Sequence, residues 1–377
     1  MRNAIAVLER IWRNVFVYPL LRLIIRNKPA ELPIDLTRIE SILILRYDKI
    51  GDMVVTLPIF KILKDHNPQV RIGVLASQVN SELLVGDGFV DDIYVMPKSP
   101  FGIVHLLWRI RKAHFQVVLN FIFNRMTSGA LICQLACRDA ITIGQGNEKY
   151  RFYFNVLLSL RRGSMLMFEM LIQYVEQVFG MKVAEEEKTL YLNIDAITVT
   201  RVDHYLERHG LRRRICNNST GLRYVVFNFS ARQTNKKLSF EQATSVVQSL
   251  KSRRQVRTIV IAAPEDRSAA RQIVSALESD SCTFFPESGR SSLTETASLI
   301  QGALGVVTPD TSIVHIASAV STPILGIFTP LQVNKEWLPY RVQHELVVAP
   351  DNEPVSKISA AALVRGIDSF LAHMGVD

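Results

Sequence analysis

Cysteine is scarce in this 377-residue chain. Cys133, Cys137, Cys216 and Cys282 are the only four, and no two stand at metal-ligand or redox spacing. Cys133 and Cys137 share a helix face, where buried thiols are the expected outcome. Nothing in that usage calls for an oxidising compartment, so a cytoplasmic location is expected. Long apolar runs are missing too. No stretch reaches the ~20 uninterrupted apolar residues a spanning helix needs, and Pro19 and Arg22 interrupt the longest. A small-residue cleavage site after an apolar core is also absent, which argues against a secretory leader. Repeats with a period of 20–50 residues, low-complexity tracts and nucleic-acid-binding modules are not found. Nor is there a paired-carboxylate Asp-x-Asp, so no metal site is expected.

What is present is a well-packed composition, 48% hydrophobic and 21% charged, with a net charge of +9. That length exceeds the usual single-core size, so two domains are the default expectation. The charge calls for an anionic partner or surface. The basic residues are dispersed, which disfavours nucleic acid. The first stretch is the better account: Met1–Lys28 sets Arg2, Arg10, Arg13, Arg22, Arg26 and Lys28 among Ile, Leu, Val, Trp12, Phe16 and Tyr18. A basic amphipathic segment of this kind suits an anionic membrane face; packing on the protein body is the alternative.

The most informative stretch is Gly305–Phe328, GVVTPDTSIVHIASAVSTPILGIF. Apolar run, Thr308-Pro309-Asp310 turn, short helix and second apolar run make one strand–helix–strand unit of a parallel sheet. Asp310, Thr311 and Ser312 fall where the first helical N–H groups are unpaired, a place able to hold phosphate. His315 lies on the same first turns. Taken alone, Asp310 reads equally well as a plain N-cap and His315 as a surface helix residue. Ser41–Asn67 repeats the pattern: a strand (Ile42–Leu45), a polar loop (Arg46-Tyr47-Asp48-Lys49), Gly51-Asp52, then helical spacing over Met53–Leu63. Ligands of open parallel sheets sit at this end of the strands. Asp52 either complements the helix dipole or stands at the cleft as a general base.

The chain resembles glycosyltransferase family 9, the lipopolysaccharide heptosyltransferases. Leu45 to Asp52 with Thr56-Leu57-Pro58, and Asp310-Thr311-Ser312-Ile313-Val314-His315 with Thr322-Pro323, carry the outer motifs. Between them, Asn235-Lys236-Lys237-Leu238 and Ala262-Ala263-Pro264-Glu265-Asp266 resemble two more. The resemblance runs from about residue 41 to 330. It implies an α/β fold of two Rossmann-like, doubly wound domains facing a cleft (the GT-B fold). The expected division is a basic N-terminal segment over 1–40, an acceptor domain over 41–194, a polar linker over 195–221 and a donor domain over 222–355. A C-terminal helix over 356–377 follows, for which the fold allows a return to the first domain.

The resemblance also implies an inverting transfer of heptose from ADP-heptose to a lipid A-linked core oligosaccharide. The partners would be the nucleotide sugar, an anionic lipid-linked acceptor and the inner face of the cytoplasmic membrane. Asp52 would be the base. Ser230, Lys236, Glu265, Asp310, Thr311, Ser312 and His315 would serve the donor, with Lys237 beside Lys236 and Asp266 competing with Glu265. Arg46, Lys49 and Arg125 would serve the acceptor. No cofactor beyond the donor is expected. Two departures matter: Ser312 and Ile313 replace the family's Gly and Pro, and Asn120 stands where the fourth strand normally ends in Asp, with Arg125 displaced. Other readings are a different nucleotide sugar, a sugar epimerase on the same fold, for which no further acid/base motif is seen, or a catalytically silent membrane-associated scaffold.

Overall fold

The computed structural model describes Arg22, Ile25 and residues 27–123, 126–214, 221–253, 256–276, 282–330 and 335–376. Two six-stranded sheets organise them. The first is built from β1 (Ser41–Arg46), β2 (Arg71–Ala76), β3 (Asp92–Val95), β4 (Val117–Asn120), β5 (Ile141–Gln145) and β6 (Val156–Leu158). Its helices are α1 (Ile50–Val54), α2 (Leu57–His66), α3 (Pro100–Lys112), α4 (Met126–Ala136) and α5 (Met167–Phe179). The second half opens with α6 (Ala196–Arg208) and β7 (Arg223–Asn228), followed by α7 (Phe240–Lys251), β8 (Val256–Ile261), α8 (Arg267–Ala276) and β9 (Cys282–Phe285). It closes with α9 (Leu293–Gly302), β10 (Gly305–Pro309), α10 (Ser312–Ala319), β11 (Ile324–Phe328), β12 (His344–Val348) and α11 (Ala360–His373).

All ladders are parallel, and the sheets share one winding: β3-β2-β1-β4-β5-β6 and β12-β11-β10-β7-β8-β9. Each chain segment starts at a central strand, winds outward, then returns to the other side. The switch points therefore lie between β1 and β4 and between β7 and β10, where such folds bind ligands. Register puts Ile44 beside Val74 and Leu119, and Val226 beside Ile259 and Val306. These residues are fully buried, as strands covered on both faces require.

Four features differ from the sequence expectation. The helix expected over Met53–Leu63 is two helices, because Pro58 has no N–H and starts a new one. The supposed linker holds α6, capped by Asp195, which buries Val202, Tyr205 and Leu206; Tyr205 Oη donates to Phe284 O at 3.2 Å. Two edge strands, β6 and β12, lie outside the ten apolar runs that the sequence offers as strands, Ile42–Leu45, Val70–Leu75, Ile93–Met96, Val117–Phe121, Ala140–Ile143, Tyr224–Phe229, Thr258–Ala262, Cys282–Phe285, Gly305–Val307 and Pro323–Phe328. The last helix does not return to the first half: Leu363, Ile367, Phe370 and Leu371 of α11 pack in the core of the second sheet, with Phe370 against Gly305. Burial pushes the thiols of Cys137 and Cys282 up to about 12, and that of Cys133 well above its usual range. Among the described residues no helix is long and apolar enough to cross a membrane.

Candidate active site

Asp52 occupies the first turn of α1, at the C-terminal end of β1. Its carboxylate is almost wholly buried. Arg46, the last residue of β1, lies beneath it and is itself 1% exposed. The Arg46 guanidinium donates from Nε to Asp52 O at 2.9 Å and from Nη1 to Phe121 O. Its Nη2 stands 3.5 Å from Asp52 Oδ1, an ion pair that is not a hydrogen bond. Arg46 was expected to meet the acceptor. Its burial corrects that: it is the internal counter-ion of the Asp52 loop. Asn80, wholly buried, ties the same loop down by donating to Arg46 O at 2.9 Å.

Loss of hydration pushes Asp52 up to about 6, opposed by Arg46 and Lys49 and assisted by the charge of Asp48. A carboxylate so placed is charged at neutral pH yet basic enough to accept a proton. Lys49 is exposed at the lip of the loop, and its charge acts on Asp52 and on Asp310 alike.

Asp310 directly follows β10 on the opposing half and is buried as well. Its direct partner is Lys236, from the short 3-10 turn Thr234–Lys236. Burial raises the Asp310 carboxyl while Lys236 draws it back down. Thr311 caps α10, accepting from Ile313 N at 3.3 Å, and Ser312 opens the helix. Asn228, at the end of β7, gathers this corner: its side-chain amide donates toward Thr308 Oγ1 (3.0 Å), Thr311 Oγ1 (3.1 Å) and Ser230 O (3.1 Å). Ser230 Oγ in turn accepts from Ala263 N at 2.8 Å, linking the β7 loop to the β8 loop that carries Glu265. Glu265 is exposed, and neighbouring Asp266 is engaged by Lys237 at 3.0 Å.

The halves meet at Gly51. A Cβ there would stand 2.7 Å from His315 Cδ2 and 3.5 Å from Ser312 Cα, so only glycine lets α1 approach α10 this closely. His315 is buried, edge-on to Trp337 with ring centres 5.5 Å apart. Desolvation, with the charge of Lys236, pulls His315 down to about 4, so it is a neutral imidazole near pH 7. Further hydrogen bonds join the two halves. Arg162 grips Glu336 with a two-pronged contact, Nε to Oε2 at 2.8 Å and Nη2 to Oε1, and Gly163 N joins at 3.2 Å. Leu293 N donates to Glu82 at 2.5 Å. Arg162 also lies within Coulombic reach of Asp52.

The fold thus brings Asp52, Lys49, Lys236, Asp310, Ser312 and His315 to one cleft, and Thr311, Ser230 and Glu265 to the adjoining loops. Arg125 lies outside the described residues. Sequence reasoning missed Arg162, Glu336, Asn80 and Asn228. For Asn228 a signal existed, its place beside Ser230 at a strand end. Arg162 and Glu336 are 174 positions apart, and no local pattern couples them. Among the described residues no group of three or more His, Cys, Asp or Glu is arranged to hold a metal ion.

Two parallel sheets facing a cleft, with switch points opposed, define a GT-B glycosyltransferase fold. The family model of glycosyltransferase family 9 (heptosyltransferase) matches residues 105–373, and the chain belongs to that family. Lipopolysaccharide heptosyltransferase 3 of Escherichia coli is 22% identical over 300 residues, 74% of this chain and 80% of that protein. The family 9 glycosyltransferase of Veillonella parvula superposes with a TM-score of 0.75 at 16% identity, over 90% of this chain and 99% of that one. An E. coli heptosyltransferase solved with ADP-2-deoxy-2-fluoro heptose gives 0.66 at 17% identity, over 87% and 99%.

Proposed function

We propose that this transferase moves heptose from ADP-heptose to a lipid A-linked core oligosaccharide, by single displacement with inversion. The carrying observation is the pairing across one cleft of a buried, weakly held carboxylate with a lysine and an open helix start. The acceptor hydroxyl attacks the anomeric carbon on the face opposite the diphosphate. As that C–O bond forms, the hydroxyl proton passes to Asp52 and the bond to the diphosphate oxygen breaks, the electron pair leaving with ADP. Arg46 makes no hydrogen bond to the Asp52 carboxylate through Nη2, which keeps that carboxylate available to the incoming proton.

Charge growing on the departing diphosphate is met by Lys236, held in place by Asp310, and by the first N–H groups of α10. Those groups fill the role a metal would otherwise take, so treatment with EDTA should leave the rate unchanged. Glu265, exposed after β8, suits the two ribose hydroxyls. His315, neutral, serves as a hydrogen-bonding rather than a charged group. Lys49 and Arg125 are assigned to the acceptor, whose lipid anchor would sit at the inner face of the cytoplasmic membrane with residues 1–40 as the basic contact. The N-terminal half would take the acceptor and the C-terminal half the donor.

Calorimetric titration with ADP, UDP and GDP, then with the matching sugar nucleotides, tests the donor. A preference for ADP matched by turnover of ADP-heptose is expected. Preference for UDP or GDP would keep the transferase and discard the heptose, an outcome the Ser312 and Asn120 departures make worth testing. Binding of none would move the chain to a silent scaffold.

A further inference from the structure

Helix α3 is folded as a surface helix but is not dressed as one. Ser99 caps it, accepting from Gly102 N at 3.1 Å, and Pro100 supplies the first turn. Leu106 and Ile110 are buried against the sheet. The opposite face carries Phe101, Val104 and Trp108, at spacing i, i+3 and i+7, which exposes them as one stripe. Phe101 is 90% exposed, Val104 67% and Trp108 51%. Solvent-facing helix positions ordinarily hold charged or small polar residues, and large apolar groups in a row mark a contact surface.

The charges beside the stripe identify the contact. Residues 98–112 include Lys98, Arg109, Arg111 and Lys112 and not one Asp or Glu. Lys112 Nζ lies 3.9 Å from the Trp108 ring centre, so the cation rides on the edge of the apolar stripe. A protein partner would need a groove with an acidic rim. An anionic bilayer offers both properties at once, apolar depth below a sheet of phosphates. Tryptophan is the residue that favours that boundary.

The position agrees. Ile25, near the end of the basic N-terminal stretch, is buried in the same apolar cluster as Leu106 and Ile110. Asn27, two residues on, accepts from Gln134 of α4 at 3.0 Å. Ile25 and Asn27 therefore lie on the side of the first sheet that α3 and α4 cover.

We propose that the outer face of α3 is a second lipid-binding surface, lying flat on an anionic membrane with Phe101, Val104 and Trp108 inserted. The inference rests on the reading of a lipid-linked acceptor. It gives the N-terminal half, assigned to that acceptor, a fixed orientation toward the bilayer.

The test uses the full chain and sedimentation with phosphatidylethanolamine vesicles, with and without phosphatidylglycerol. The parent should bind only the anionic vesicles. The double variant Phe101→Ser/Trp108→Ser should bind them at least ~10-fold more weakly. In a Trp12→Phe/Trp337→Phe background, Trp108 fluorescence should be quenched by brominated lipid in the same vesicles. Unchanged vesicle binding by the double variant, or no quenching, overturns the proposal. A double variant that keeps its vesicle binding but loses self-association would assign the stripe to a second copy of the chain instead. ADP titration run alongside separates the two readings. Retained ADP binding with lost vesicle binding supports the surface, while vesicle binding without any nucleotide binding would remove the donor assignment and leave the surface standing.

Discussion

Asp52 and Asp310 make an instructive pair. Each is the buried carboxylate just past a strand that borders its sheet's switch point, one after β1 and the other after β10. Each has one basic partner from a neighbouring element and feels the charge of Lys49. The difference is in the contact. Lys236 bonds Asp310 directly, whereas the Arg46 guanidinium spends its good hydrogen bonds on Asp52 O and Phe121 O and reaches the Asp52 carboxylate only at 3.5 Å. A carboxylate fully engaged by a cation is an anchor; one left under-bonded in a dry loop is a base. The same strand–acid–helix unit is thus set to two tasks by where its counter-ion points.

The largest expected effect breaks the comparison on the Asp52 side. Asp52→Ala should lower kcat by ~10²–10⁴ while ADP affinity stays near the parent value. Normal turnover would remove Asp52 from the mechanism. Next comes the anchor. Lys236→Ala should cost ~10–100-fold in kcat/KM, raising KM for the donor as well as slowing transfer. It also leaves Asp310 buried without its partner, so unfolding should require roughly 1–3 kcal/mol less. If stability drops and donor affinity does not, the pair is structural only.

A third substitution tests whether the halves must meet as they do here. Gly51→Ala places a methyl 2.7 Å from His315 Cδ2, too close for any real contact. The ring is packed edge-on to Trp337 and has little room to yield. Transfer should fall ~10-fold or more, because small displacements between reacting groups are costly, and ADP titration should change far less. Equal losses in both would mean that Gly51 serves the donor site itself.

Much of this was legible beforehand, for physical reasons. Ten of the strands can be read as apolar runs, and the central ones announce themselves because parallel strands covered on both faces have no polar side to show. The two that escaped are edges: β6 is three residues long, and β12 is only half-buried, so neither carries that run. The 195–221 stretch read as polar because α6 buries only one side; its capping Asp195 was the signal. Asp52, Lys236, Asp310 and His315 could be singled out through the motifs the chain shares with the family it resembles. The inward turn of Arg46 could not, since a strand-terminal arginine beside a loop gives the same letters whether it faces solvent or core. Nor could the grip of Arg162 on Glu336, which depends on how the two sheets are placed against each other.

The smallest expected effect is the sharpest test of how Asp52 is tuned. Burial raises its carboxyl to about 6, and the base works only when deprotonated, so kcat/KM should fall as pH drops through about 6. Asp48 contributes to that rise by its like charge, and it sits 3.5 Å from Arg46 Nη1, competing for the same guanidinium. Asp48→Asn removes the repulsion and releases Arg46 toward Asp52, both of which favour the ionised form. The acid limb should therefore move to lower pH, by up to about one unit. At high pH the rate should drop modestly, since a weaker base accepts the proton less readily. An unmoved limb would mean that desolvation alone sets Asp52. A limb moved upward would mean that Asp48 chiefly holds Arg46 in place, and that the under-bonded state of Asp52 depends on that second carboxylate.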